Sequence, residues 1–322
     1  MIAMSKADLI LDAKNKGYRP EILEKVYRLL DLLEQFMAVP YLKERLVLKG
    51  GTAINLFYSD HLPRLSIDLD FNYIGSTDRE IMRAEKATLK STLIDITERR
   101  KYTLYRSPRA HAGGKMIFVY QSVMGNKGYL EVDLNFLFRI PLWNITQRQS
   151  RLKETTLVDI LDKHELAAGK LHALLGRQAS RDLFDSHQLL TQWEFDSQKL
   201  RLAFTVYAAM EQDHWQRISP DNIQFSVKDI RDKLIPVLNV KHIPSMRHPE
   251  IESWANSLVA QSKAALSAVL PFNDNEKAFL EQLQKFGVIK PELLSTDDDF
   301  CQRACRHPLL IWRAKKALAL SE

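Results

Sequence analysis

The sequence predicts an α+β protein, with a short mixed sheet in its N-terminal part and a helical C-terminal region. Two observations carry this prediction. Apolar and polar residues alternate with the period of a half-buried strand in several segments up to Phe138. From about Leu157 onward, apolar residues recur instead at the three- and four-residue spacing of helices. This change places a boundary around Ile145–Thr156, and we predict domains over residues 1–150 and 151–322.

The elements of the N-terminal part follow from local patterns. A wide apolar face predicts a packed helix over Pro20–Ala38. The apolar run Leu46–Leu48 predicts a short buried strand, and Ala53–Tyr58 reads as a helical run. Residues 67–72 alternate apolar side chains with two aspartates and an asparagine, which predicts a second strand. The other predicted elements are a helix over Thr77–Arg100, strands over Thr103–Tyr105, Lys115–Val123 and Tyr129–Phe138, and a hairpin turn over Gly125–Gly128.

The C-terminal region has helical periodicity almost throughout, without an internal repeat or a low-complexity linker. The predicted helices are Thr156–Gly176, Ser180–Trp193, Gln198–Gln212, Val227–Leu238, Ile251–Leu270, Asn275–Phe286 and Leu309–Leu320. The pattern does not assign a role to residues 240–322.

Composition excludes several classes of protein. Of 322 residues, 45% are hydrophobic and 27% charged, and 11 Gly and 12 Pro are spread along the chain, so collagen-like and low-complexity proteins are excluded. No apolar run approaches the ~20 residues of a membrane span. The first residues lack the apolar core of a signal peptide, and two cysteines cannot build a disulfide framework, so we expect a cytoplasmic protein. A net charge of +6 favours polyanionic partners such as nucleotides or nucleic acid.

The sharpest motif is Gly50-Gly51-Thr52, which stands between a predicted strand and a predicted helix. A glycine pair lets the backbone approach a phosphate chain closely. The free N–H groups at the start of the following helix favour an anion, and Thr52 adds a hydroxyl.

Acidic residues follow on the next predicted strands. Asp68 and Asp70 are two residues apart, so both side chains emerge on one face, roughly 7 Å apart at Cα. Two carboxylates at this spacing repel each other unless a cation lies between them, and hard divalent ions such as Mg²⁺ prefer oxygen ligands. If the strand that carries Asp133 is a neighbour, three carboxylates converge, enough to hold two metal ions for displacement at phosphorus.

Each piece has a simpler explanation when taken alone. A Gly-Gly pair is usually a turn, and Asp-x-Asp on a strand is usually a solvated face. The fixed order of strand, Gly-Gly-Thr, helix and acidic strand favours a site over two unrelated surface features.

A second cluster lies in the helical region and contains Glu165, Lys170, Arg177, Arg181, Asp182 and Asp185. On one continuous helix the three cations would share a face. Gly176 and Ser180 suggest instead a break and a new helix capped at Ser180. The cations could meet a triphosphate, with the aspartates orienting them or acting near the acceptor; the alternative is an ordinary amphipathic helix with surface ion pairs.

These runs together resemble a known family. Leu48–Ala53 and Arg64–Phe71 look like the first motif of the AbiEii/AbiGii toxins of type IV abortive-infection toxin–antitoxin systems, which belong to the DNA-polymerase-beta-like nucleotidyltransferases. The stretch from Lys170 to Asp185 resembles their later motifs. Phe225–Ile230 is also typical of the family, although without an assigned role. The resemblance extends over about residues 46–238.

The resemblance implies a polymerase-beta-like core and Mg²⁺-dependent transfer of a nucleotide from a nucleoside triphosphate, with Mn²⁺ as the alternative metal. In some members the acceptor is the 3′ end of tRNA, and the consequence is growth inhibition that a cognate antitoxin counters. The implied metal ligands are Asp68, Asp70 and Asp133, with Asp133 also activating the acceptor hydroxyl. Lys170 would neutralise triphosphate charge, and Asp182 or Asp185 would be the late catalytic aspartate. The implied nucleotide-binding residues are Lys49, Gly50, Gly51, Thr52, Ser66, Lys170, Arg177 and Arg181.

A basic stretch fits a nucleic-acid acceptor. It contains Arg99, Arg100, Lys101, Arg106, Arg109 and Lys115 without an acid, and Tyr102 and Tyr105 are interleaved for stacking. The alternative is a solvated loop. Three rival functions stay open: transfer to a small molecule or a protein, a catalytically silent binding module, and kinase-like phosphoryl transfer.

Overall fold

The structure is a computed structural model, and it describes residues 5–108, 112–211, 214–244 and 247–321. The chain divides into two compact units that interleave in sequence. The first unit runs to Arg139 and adds Ile145–Leu161 and Ile235–Ile243. The second comprises Ile140–Asn144, Asp162–Leu234 and the chain from Pro244 onward. Each unit draws on several segments of the chain, whereas the predicted domains are the two continuous ranges 1–150 and 151–322. Those domain bounds stay a prediction.

The described part of the first unit is built on a seven-stranded mixed sheet. Its strands are β1 (Leu46–Lys49), β2 (Leu69–Tyr73), β3 (Thr103–Arg106), β4 (Gly113–Gln121), β5 (Lys127–Asn135), β6 (Thr146–Arg148) and β7 (Val158–Ile160). They lie in the order β3-β4-β5-β2-β1-β7-β6. β2 is parallel to β5 and β1 to β7, whereas the other neighbours are antiparallel. The predicted α+β class with a short mixed sheet is confirmed.

Helices of the first unit precede and interrupt the strands. They are α1 (Lys6–Lys16), α2 (Pro20–Met37), α3 (Pro40–Lys43), α4 (Gly50–Thr52), which continues as a π-helical segment over Ala53–Tyr58, and α5 (Arg79–Arg99). The apolar stripe of α2 is buried as its periodicity predicts, with Leu23, Leu30 and Leu33 at 0% exposure. On β2, Leu69 and Phe71 are also fully buried, so the Asp70 side chain between them faces the other way.

The second unit consists of helices and short helical turns in the described residues. Its helices are α6 (Lys163–Gly176), α7 (Ser180–Gln192), α8 (Ser197–Met210), α9 (Val227–Asp229), α10 (His248–Ala265), α11 (Asp274–Phe286), α12 (Asp298–Arg306) and α13 (Pro308–Ser321). Within the ranges that the structure describes, every helix is too short or too polar to cross a bilayer.

Two predicted helices differ from the structure. The helix expected from Thr156 is wrong at its start, because Val158 and Ile160 are buried on β7, where Ile160 pairs with Leu48 of β1. The helix expected over Val227–Leu238 is broken into short turns. Pro236 lies inside that segment and supplies no backbone N–H to a regular helix. Helices α1, α3 and α12 and strand β6 were not predicted.

The β4–β5 hairpin sets the geometry of the acidic strand. Its turn spans residues 122–126, where the Ser122 N–H donates to the Asn126 carbonyl at 2.9 Å. From this turn the ladder runs back without a break, pairing Gln121 with Lys127 and finally Gly113 with Asn135. The hairpin therefore places Lys115 directly opposite Asp133.

Candidate active site

Four charged residues form one row across the central strands of the sheet. Lys49 on β1 pairs with Asp70 on β2, Asp70 pairs with Asp133 on β5, and Asp133 pairs with Lys115 on β4. Residues directly opposite each other on neighbouring strands project to the same face. The row therefore has the charge order plus, minus, minus, plus on one face of the sheet.

The electrostatics of the row centre on Asp133. Burial raises the pKa of Asp133, and the carboxylates of Asp68 and Glu131 add to that effect, while Lys49 and Lys115 oppose it. The Lys115 ammonium lies 2.5 Å from a Glu131 carboxylate oxygen. Burial opposes the charge of Lys115, but this contact and the nearby aspartates raise its pKa overall. Asp133 is thus a partly buried carboxyl with raised basicity, flanked by cations.

Gly50 brings the glycine loop against Asp70. Its φ of +70° lies in the left-handed region that side chains disfavour. A methyl group at this position would lie 2.2 Å from Asp70 Oδ2. Both facts require glycine here, and the second shows that the Asp70 carboxylate packs directly over the first residue of α4.

The side chains of Thr52 and Ser66 hold Asp68. Thr52 is buried, and its hydroxyl donates to the backbone carbonyl of Asp68. The Ser66 hydroxyl donates to Asp68 Oδ1 at 3.1 Å. Thr52 and Ser66 were expected to contact the nucleotide, and the contacts shown here instead position the first acidic residue. Their nucleotide-binding role stays a prediction.

A buried cation lies behind the second glycine. Arg64 is 2% exposed, and its Nη1 donates to the Leu65 carbonyl at 3.0 Å. A methyl group at Gly51 would lie 3.0 Å from Arg64 Nη2 and 2.9 Å from Ser66 Oγ. A positive group this close to a helix start strengthens the preference of the loop for an anion.

The chemistry of the acids fits a hard divalent cation. Asp70 and Asp133 stand side by side on parallel strands, and Asp68 precedes Asp70 by two residues. Carboxylate oxygens are the ligands that Mg²⁺ prefers. Within residues 5–108, 112–211, 214–244 and 247–321, no group of three or more His, Cys, Asp or Glu side chains is arranged as a metal site. Convergence of all three aspartates on one metal therefore stays a prediction.

The second predicted cluster is a buried ion-pair group in the helical unit. Lys170 on α6 lies 2.8 Å from Asp182 and 3.0 Å from Asp185, both on α7. The Lys170 side chain is only 10% exposed, and those of the aspartates are 3% and 0% exposed. The two aspartates thus orient the lysine, one of the two roles that the sequence left open.

Arg177 extends this group at its exposed end. Its Nε lies 2.6 Å from Asp182 Oδ2. Burial opposes ionisation of Asp182, but Lys170 and Arg177 together hold its pKa below the ordinary value. Arg181 lies half-buried in the first turn of α7. The helix is interrupted between the end of α6 and the start of α7, so the alternative of one continuous helix is wrong.

Asp229 gives the Phe225–Ile230 run a structural role. The carboxylate of Asp229 accepts hydrogen bonds from the Ser180 backbone N–H at 2.8 Å and the Ser180 hydroxyl at 2.6 Å. Ser180 is the first residue of α7, not its cap as predicted, and Asp229 takes the capping role from a distant segment. The run therefore fixes the start of the helix that carries both aspartates.

Replacing Gly50 by alanine is expected to cost about 2 kcal/mol or more of folding free energy, because the methyl group meets Asp70 and φ is positive. Urea denaturation followed by circular dichroism measures the change. Gly176→Ala is the matched control, since no atom lies within 4 Å of its added methyl group. We expect that variant to be as stable as wild type or slightly more so. Wild-type stability of the Gly50 variant would contradict the packing described for Asp70.

Glu165, the first residue of the second predicted cluster, carries a fully buried carboxyl group. It accepts hydrogen bonds from the Leu142 backbone N–H at 2.8 Å and from the Tyr207 hydroxyl at 3.3 Å. Burial raises its pKa from 4.5 to about 8. The folded protein therefore binds a proton here that the unfolded chain releases over that range.

The part of the stability that depends on Glu165 is expected to fall as pH rises from 4.5 towards 8, because the folded-state pKa of Glu165 is the higher one. Buried His172, whose pKa is lowered from 6.5 to about 4, contributes in the opposite direction between those two values. The stabilising contribution of protonated Glu165 is fully present below pH 4.5 and is lost as pH rises to about 8, with a size of about 5 kcal/mol. Denaturant midpoints measured across this range for wild type and Glu165→Gln test it. The stability of wild type relative to the glutamine variant should fall across this range; a constant difference between the two would show that Glu165 does not titrate there.

The basic stretch is only partly available to a ligand. Arg100 pairs with Asp31 at 2.6 Å, and Lys115 pairs with Glu131. Tyr102 is buried against Tyr120, so it cannot stack with a base, whereas Tyr105 is exposed. Arg99, Lys101 and Arg106 are exposed, and Arg109 lies outside the described residues.

Sequence reasoning did not assign Lys115 or Arg64 to the site. Counting back from the predicted turn at Gly125–Gly128 would have placed Tyr120 opposite Asp133; the turn lies over residues 122–126 instead, and Lys115 takes that place. Nothing in the local pattern predicts that Arg64 is buried behind Gly51.

Residues 31–270 match the family described as nucleotidyl transferase AbiEii toxin, type IV toxin–antitoxin system. A comparison with curated proteins finds no match. Among solved structures, the nucleotidyltransferase toxin MenT4 of Mycobacterium tuberculosis H37Rv is similar, with a TM-score of 0.56, 13% identity and coverage of 94% of this chain and 98% of that chain. At that identity the likeness concerns the fold. The family match covers most of the chain and confirms the resemblance: the chain belongs to the AbiEii nucleotidyltransferase toxins of type IV toxin–antitoxin systems and is a nucleotidyltransferase enzyme.

Proposed function

We propose that the protein transfers a nucleotidyl group from a nucleoside triphosphate to a hydroxyl of RNA, most specifically the 3′ end of tRNA. The observation that carries this proposal is the charged row of Lys49, Asp70, Asp133 and Lys115, with Gly50 packed against one of its carboxylates. Growth inhibition in the cytoplasm, opposed by a cognate antitoxin, is the corresponding biological role.

In this proposal the glycine loop and Lys49 bind the triphosphate, with Arg64 adding positive charge behind Gly51. Asp68, Asp70 and Asp133 would hold Mg²⁺, which lowers the charge on the phosphates and orients them. Lys170 carries the charge-neutralising role that the family resemblance implies. One of its two partners, Asp182 or Asp185, would be the late aspartate.

The reaction is a displacement at the α-phosphorus. The acceptor hydroxyl oxygen forms a bond to that phosphorus, the bond to the pyrophosphate oxygen breaks, and the hydroxyl proton passes to Asp133. Its raised pKa supports this role, because a carboxylate of higher basicity accepts a proton more readily.

Incubation with each α-labelled nucleoside triphosphate, Mg²⁺ and total RNA tests the proposal. Label should enter RNA, chiefly the tRNA fraction, and pyrophosphate should be released. Label in a protein or a small molecule would contradict the RNA acceptor, and release of a nucleoside diphosphate would indicate phosphoryl transfer instead. Binding of the triphosphate without any transfer would favour a silent module.

A further inference from the structure

An aromatic groove of the first unit is lined by residues of helix α2 and of strands β3, β4 and β5. It has a volume of about 370 Å³ and is lined by Ile22, Tyr105, Ile117, Tyr120 and Tyr129, among others. Tyr105 and Tyr129 are 68% and 44% exposed. Their ring centroids are 5.9 Å apart at a steep angle, so each ring supports the other while keeping a face open.

The strand register connects this groove with the charged row. Tyr129, Glu131 and Asp133 alternate along β5 and so share one face. Tyr129 is four residues from Asp133, about 13 Å along the strand. On β4, Ile117 is opposite Glu131, and Arg106 of β3 is opposite Ile117. The aromatic pair and the candidate catalytic carboxylates therefore lie on one continuous surface.

The charges around the groove suit a polyanion with exposed bases. Lys25 lines it, and Arg106 and Lys127 are exposed beside it. Of the two acidic residues in its lining, Glu131 is already paired with Lys115. The other, Glu21, can accept a hydrogen bond from an exocyclic amino group of a base. Basic side chains for phosphates and open aromatic faces for bases are the combination that binds single-stranded nucleic acid.

We propose that this groove, through Tyr105 and Tyr129, binds unpaired bases of the RNA acceptor a few nucleotides from the hydroxyl that reacts. The inference rests on the proposed function for the identity of the acceptor. It adds a stacking subsite, and it requires the acceptor to be single-stranded at that point, because bases inside a duplex present no free face.

The test measures binding without nucleoside triphosphate or Mg²⁺, so that it is independent of catalysis. Fluorescence anisotropy compares a short labelled single-stranded RNA with the same RNA annealed to its complement. We expect wild type to prefer the single strand. Tyr105→Ala and Tyr129→Ala should each weaken that binding by about five-fold or more. Phenylalanine at either position should restore it, because stacking does not need the hydroxyl.

Two further variants separate the contributions. Arg106→Gln should reduce the dependence of binding on salt, since one phosphate contact is lost. Phe286→Ala removes an aromatic side chain of similar exposure in the other unit and should leave binding unchanged. Thermal unfolding of each variant should match that of wild type, since the replaced side chains are exposed.

Equal affinity of the alanine variants for the single strand, or equal affinity of wild type for the duplex, would overturn the inference. Loss of a co-purifying protein from the tyrosine variants with RNA binding unchanged would assign the groove to a protein partner and overturn it as well. Transfer to RNA without tyrosine-dependent binding would leave the proposed function standing and remove only this subsite. Tyrosine-dependent binding of RNA without transfer would support this subsite and contradict the proposed function.

Discussion

Replacing Asp70 by asparagine is expected to reduce nucleotidyl transfer by about 100-fold to 1,000-fold, the usual cost of removing one electrostatic group from a catalytic centre. Asp70 is the residue on which the site converges: it pairs with both Lys49 and Asp133, and its carboxylate packs over Gly50. Asparagine keeps its size but removes the charge that a divalent cation requires. The rate of label incorporation into RNA measures the loss.

Fold and function can be separated at this position. Asparagine should change the unfolding free energy by less than about 1 kcal/mol, because Asp70 is partly exposed and its shape is kept. Asp159→Asn is the matched control, since Asp159 is a partly exposed aspartate on β7 of the same sheet and bonds Gln147. That variant should retain full activity. Undiminished transfer by the Asp70 variant would remove the basis of the proposed mechanism.

Replacing Lys170 by methionine is expected to destabilise the protein by about 3–5 kcal/mol. The change leaves Asp182 and Asp185 buried with their central cation removed, and the cost of burying charge without a partner exceeds the loss of a surface ion pair several-fold. Equilibrium unfolding in urea measures it. Lys163→Met, in the first turn of the same helix, should change stability by less than about 1 kcal/mol.

A compensating variant distinguishes charge from packing. Lys170→Met combined with Asp185→Leu removes a buried charge of each sign, and it should recover part of the lost stability. If the double variant is no more stable than Lys170→Met alone, the cost arises from shape and not from uncompensated charge.

Loss of transfer in the same double variant, at recovered stability, would support a catalytic role beyond folding for the pair of Lys170 and Asp185, because Asp185 is one of the two candidates for the late aspartate. Retained transfer would indicate that Lys170 and Asp185 serve only to hold α6 and α7 together.

The sequence predicts the fold class and much of the element order because the relevant signals are local. The apolar stripe of α2 and the alternation on β2 each depend on residues within one element. The predicted start of a helix at Thr156 is wrong for the opposite reason. Val158 and Ile160 read as the start of a helix, and their pairing with β1 depends on a strand more than a hundred residues earlier.

The candidate site was predictable to a similar degree. The glycine pair and the acidic strand are visible as a motif, and the parallel pairing of Asp70 with Asp133 could only be assumed. The partners that surround them are non-local. Arg64 behind Gly51, and Asp229 capping a helix that begins forty-nine residues earlier, are set by tertiary packing that leaves no periodic signal.

The interleaving of the two units bears on how the chain acquires its structure during synthesis. The sheet unit needs β7 against β1, and it also needs Ile235–Ile243, where the Val237 carbonyl accepts from the Leu65 N–H and the Asn239 side chain donates to the Lys16 carbonyl. A nascent polypeptide emerging from the ribosome cannot complete this unit until those later residues have left the exit tunnel. A toxin built in this way gains its finished fold only after most of its length has been translated, and shortened fragments ending near residue 150 should not fold.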